Sequence, residues 1–254
     1  MTTLAEVMLD VCRLVTSVQE GTATGGSTTT LLDTNLTRKQ GMFNDGTLWM
    51  LSGTHKGKCL EIKMYGVGSV TLKDTLTGAI TAGDMYSIAS GDHFPKWQLK
   101  QAVAHVLKIT DVPAINITHT AASGVCTLTD ISDIRQVYVD DKRNFHWEER
   151  AGKIYFDDTE ASGDLKLHYM KSAWDNTMTD TSAIDNAVDP RYLMWAAAEY
   201  LWRSYIERHR GDNAEITTEL KKEAQANAAE AAQMKRKYSF ASLPRDPHYS
   251  RWTK

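Results

Sequence analysis

Apolar residues recur every three or four positions over 3–19, where Leu4, Val7, Met8, Val11, Leu14, Val15 and Val18 fall on one side. That spacing predicts an amphipathic helix, and Thr2 or Thr3 can cap it. The pattern breaks at 20–30, a Gly/Thr/Ser run that cannot sustain a helix. Between 31 and 88, runs at 47–51, 59–65, 69–72 and 85–88 favour strands, and glycines at 41, 46, 53, 57, 66, 68, 78 and 83 punctuate them at hairpin intervals. A small antiparallel barrel or sandwich is expected there. Helical spacing returns at 94–109, where Trp97, Leu99, Val103, Val106, Leu107 and Thr110 are read as one face, behind Pro95 at the helix start. Period-two alternation follows in the runs 115–118, 125–128, 134–140, 153–156 and 164–170. Ala-Ser-Gly at 122–124 and again at 161–163 marks two turns of this second β-module.

The last third is helical. Asp189-Pro190 opens a helix whose apolar side is crowded by Tyr192, Leu193, Trp195, Ala196, Tyr200, Trp202 and Ile206, which predicts a place central to the core. Arg210-Gly211-Asp212 breaks it. Residues 213–237 form an Ala-rich helix with only Ile216, Leu220 and Met234 as large apolar residues. So lean a helix packs closely on one neighbour or lies at a subunit contact, because burial alone gains it little. Pro244 and Pro247 then exclude a helix and leave an extended arm. The expected fold class is α+β. Its core is a discontinuous helical bundle (1–20, 94–111 and 173–238) with two inserted small antiparallel β-modules (21–93 and 112–172) and an extended C-terminal arm (239–254).

Composition narrows the function classes without naming one. The chain has 254 residues, 42% apolar and 24% charged, with a net charge of −3, so nothing global points to nucleic acid. Cys12, Cys59 and Cys126 are widely spaced with no CxxC pair, so neither a zinc site nor a thioredoxin-like motif is expected, and the thiols read as reduced and partly buried. The N-terminus lacks a signal peptide's basic start and carries Glu6 and Asp10 in its apolar stretch. No apolar run approaches the roughly 18 residues of a membrane span. Synthesis and folding in the cytoplasm, without a membrane partner, are expected.

The search for chemistry returns little. Gly53-Thr54-His55-Lys56-Gly57-Lys58-Cys59 resembles a phosphate loop, but the spacing is one residue short, Cys59 replaces the Mg²⁺-binding hydroxyl and a strand follows. Gly25-Gly26-Ser27 precedes no helix. His55, His93, His105, His119, His146, His168, His209 and His248 form no ligand motif. Asp140-Asp141, Glu148-Glu149 and Asp157-Asp158 read as solvated turn acids. Asn35 and Asn116 head glycosylation sequons without a secretory context. No catalytic constellation, metal or cofactor is predicted, and a structural or interaction protein is expected.

The strongest signal is the C-terminus. Residues 235–254 carry Lys235, Arg236, Lys237, Arg245, Arg251 and Lys254 against Asp246 alone, interleaved with Tyr238, Phe240, Leu243, Tyr249 and Trp252. Tyr, Trp and Arg dominate interface energetics, and an extended arm can order itself on a partner. Folding back on its own domain and contact with nucleic acid are the other readings of this tail.

The order of helix, Gly-Thr-Ala-Thr-Gly-Gly-Ser-Thr-Thr-Thr-Leu-Leu-Asp-Thr (21–34), β-module ending Gly83-Asp84-Met85-Tyr86-Ser87-Ile88, then Phe94-Pro95-Lys96-Trp97 resembles tailed-phage neck proteins. So does the later β-module leading to Pro190-Arg191-Tyr192-Leu193 and a Trp-rich helix. Specifically, the chain resembles head-to-tail adaptor (connector) proteins, which attach to the portal ring. The resemblance implies a non-enzymatic virion protein of the neck, made in the bacterial host's cytoplasm. Its implied partners are the portal, a tail or neck protein, and copies of itself in a dodecameric ring through which double-stranded DNA passes without sequence-specific binding. Tyr238, Phe240, Leu243, Arg245, His248, Tyr249, Arg251, Trp252 and Lys254 would then dock on the portal. Ile216, Leu220, Ala224, Ala231 and Met234 would take part in the subunit contact. Another tail-completion or head-decoration protein, a carbohydrate-binding β-module using Trp49 and Trp147, and a small DNA-binding regulator are the alternatives.

Overall fold

The computed structural model describes residues 2–92, 94–129, 131, 133–144, 146–157, 162–209 and 214–237, with 214–217 and 237 described by their helical backbone. They form two compact units, one from 1–107 with 174–238, the other built on 108–173.

The first unit opens with α1 (Leu4–Val15). Seven strands follow: β1 (Val18–Thr22), β2 (Gly25–Gly26), β3 (Thr30–Leu32), β4 (Thr47–Met50), β5 (Cys59–Gly66), β6 (Ser69–Leu72) and β7 (Met85–Ala89). They pair in the order β1-β7-β4-β5-β6-β3-β2, and all pairs are antiparallel. Only Ala23 and Thr24 separate β1 from β2, so the two ends of this order meet through the chain itself and the sheet closes into a barrel. The corner is bonded both ways: the Ala23 N–H donates to Asp84 O (2.8 Å) and the Thr24 N–H to Leu32 O (2.7 Å). Closure removes the free edges that an open sheet would expose. Leu31, Leu48, Ile62, Tyr65, Val70, Tyr86 and Ile88 fill the interior.

The helices do not form the bundle core expected from the sequence. Among the described residues, fourteen strands in three antiparallel sheets make this a mostly β chain with a small helical part, and β4 shows why. Leu48 and Met50 point into the barrel, while Thr47 and Trp49 are equally buried on its outside, opposite Ala89 and Ser87. Helical elements lie along that outer wall. Arg13 of α1 pairs with Glu20 of β1. Lys96 Nζ donates to Cys59 O at 2.6 Å. A periodic apolar face says that something covers a helix, not whether that something is a helix or a sheet.

The Thr3 side chain caps α1 and Glu6 completes a capping box (Thr3 N–H to Glu6 Oε2, 2.8 Å). The next orphan donors reach a distant segment, Leu4 N–H to Ser182 O (3.0 Å) and Ala5 N–H to Asp180 O (2.8 Å). In α2 (Lys96–Lys108) the buried face holds Gln98, Leu99, Ala102, Val103, Val106 and Leu107. Trp97 is 58% exposed, which corrects its assignment to that face. Two residues are about 200° apart on a helix, so Trp97 cannot share a side with Leu99. Asp189 caps α3 (Pro190–Arg208), accepting from the Arg191 N–H, with Pro190 in the first turn. α3 packs on α1 and on α4 (Ala214–Lys237), and Phe94 meets Trp202 edge-on at 5.1 Å.

The second unit stacks two sheets. One has the order β11 (Lys142–Asn144), β10 (Ile134–Val139), β14 (Gly163–Ser172), β8 (Asp111–Ala121); the other has β12 (Trp147–Arg150), β13 (Lys153–Phe156), β9 (Val125–Thr127). Ile134, Val137, Leu165 and Leu167 from the first meet Cys126, Trp147, Ile154 and Phe156 from the second. Three tight turns, Ser123-Gly124, Asp140-Asp141 and Ala151-Gly152, have both residues at positive φ, as two-residue hairpins of the mirror-image type require. Asp141 adopts φ 62° without glycine's freedom. Asp141→Gly is therefore expected to raise the unit's stability by about 1 kcal/mol, read as a higher urea midpoint at unchanged slope.

Candidate functional site

A polar crevice of the first unit, about 270 Å³, is lined by Lys58, Cys59, Leu60, Asp74, Thr75, Leu76, Lys96, Thr179, Asp180 and Thr181. Its centre is Asp180. One carboxylate oxygen accepts from Lys96 Nζ at 2.7 Å and the other from Lys100 Nζ at 3.3 Å, and both lysines come from the first turns of α2. The side chains of Lys96 and Asp180 are only 16% and 19% exposed. Burial pulls the Lys96 ammonium's pKa down, but the hydrogen bond it donates to Asp180 and the nearby negative charge outweigh it and the net shift is upward. With the Ala5 N–H on its backbone oxygen, Asp180 joins α1, α2 and, through Lys96, the barrel. This is a structural hub: its charges are spent on one another.

A second buried polar group lies in the barrel. Asp33 is 1% exposed; its Oδ2 accepts from the Tyr86 hydroxyl at 2.6 Å and its Oδ1 from the Asn35 N–H at 2.8 Å. Burial, then the hydrogen bond to Asp33, push the Tyr86 phenol far above its ordinary range. Neither hub was visible in the sequence. Tyr86 and Asp33 are 53 residues apart, and Lys100 and Asp180 are 80 apart.

The thiols are poor nucleophiles here. Burial pushes Cys12 up to about 12 against the lowering effect of Arg13, and it raises Cys59 and Cys126 as well. The Gly53–Cys59 stretch lies in the hairpin between β4 and β5, and buried His55 holds Gly78 O at 2.9 Å through Nε2. Among the described residues, no group of three or more His, Cys, Asp or Glu could hold a metal. Trp49 and Trp147 are 2% and 3% exposed, so neither offers a face for stacking on a sugar.

The arm residues Tyr238, Phe240, Leu243, Arg245, His248, Tyr249, Arg251, Trp252 and Lys254 lie outside the described residues, as do His93, Asp158 and the Arg210-Gly211-Asp212 break. On α4, Ala224 and Ala231 are buried, Leu220 and Met234 are half-buried, and the side chain of Ile216 is not among those described. With buried Asn227, these positions recur at alternating spacings of four and three, and α4 packs along α3 of the same chain.

No protein-family model matches the chain, and no curated protein does. None of the described helices is long and apolar enough to cross a membrane.

Proposed function

We propose that this chain is a structural virion protein of a tailed phage, forming the ring adaptor between portal and tail through which the DNA exits. The observation that carries the reading is the exposure of large apolar side chains on both units. Met64, Val67 and Trp97 in the first unit are each more than half exposed, and so are Ile109, Ile115 and Ile117 in the second. Side chains exposed in this way are available for contact with other proteins. The order of helices and β-modules along the chain, with its resemblance to neck proteins, supplies the kind of partner. In this reading the basic, aromatic tail docks on the portal and the protein performs no catalysis.

The test is co-expression with the portal protein of the same genome, full-length and truncated after Tyr238, with negative-stain imaging of the products. The expected result is a ring stacked on the portal that forms only with the tail present. Stacking without the tail would keep the function and remove the docking role of 239–254. Failure of both forms to associate would overturn the adaptor reading in favour of another virion part.

A further inference from the structure

We draw no further inference here: the strongest candidate, the exposed apolar patch of Ile115 and Ile117 on β8 of the second unit, carries nothing because nothing in the structure shows what covers it.

Discussion

Gly21→Ala is expected to destabilise the barrel by about 3 kcal/mol or more. A Cβ at Gly21 would lie 2.4 Å from the Tyr86 hydroxyl oxygen and 2.8 Å from Asp33 Oδ2. It would have to displace the buried hydrogen bond between them, and water cannot replace it around a carboxyl group that is 1% exposed. Tyr86→Phe alone leaves Asp33 Oδ2 without its donor and should cost about 1–3 kcal/mol. The double variant should cost less than the sum, because phenylalanine lacks the oxygen that the new methyl strikes. Relief will be partial, since the ring carbon Cζ is also within 2.6 Å of the added Cβ. Urea unfolding of the three variants measures the cycle. Strict additivity, or a Gly21→Ala midpoint equal to native, would contradict the account.

Asp180→Ala should cost about 2–4 kcal/mol, because it leaves the Lys96 ammonium largely buried beside Cys59 O without its carboxylate. The companion Asp180→Ala with Lys96→Met removes both charges and should regain most of that loss. A local readout separates this from a general softening. The Leu4 and Ala5 amides donate to Ser182 and Asp180, so their hydrogen exchange should accelerate before that of β4 and β5 in Asp180→Ala. Equal loss in the single and double variants would show that the ion pair is not what holds this junction.

Both hubs show where a sequence stops being informative about this chain. Asp33 and Asp180 look like any turn acid in their local context, because the donors that make them important arrive from strands and helices far along the chain. The polar crevice was unreadable for the same reason. The small-residue spacing of α4 was legible, and α3 lies along it. The C-terminal signal was the strongest in the sequence, and it falls outside the described residues.

Local physics determined much of the rest from the sequence alone. Periodicity of 3.6 located α1, Asp189-Pro190 started α3 at its cap, and Ser123-Gly124 made its hairpin turn through glycine's freedom at positive φ. These depend only on neighbours in the chain. In α3 the buried side is Tyr192, Leu193, Ala197, Ala198 and Leu201, while Trp195, Ala196, Tyr200, Trp202 and Ile206 of the expected apolar side are half-buried. Which surface each apolar face meets was decided by the tertiary structure. β4 reads as one short apolar run because it is buried twice, in the barrel and beneath the helical layer. That second burial turned an expected helical bundle into a mostly β fold, since a hydrophobic face is non-directional and accepts whichever partner the chain's closure brings to it.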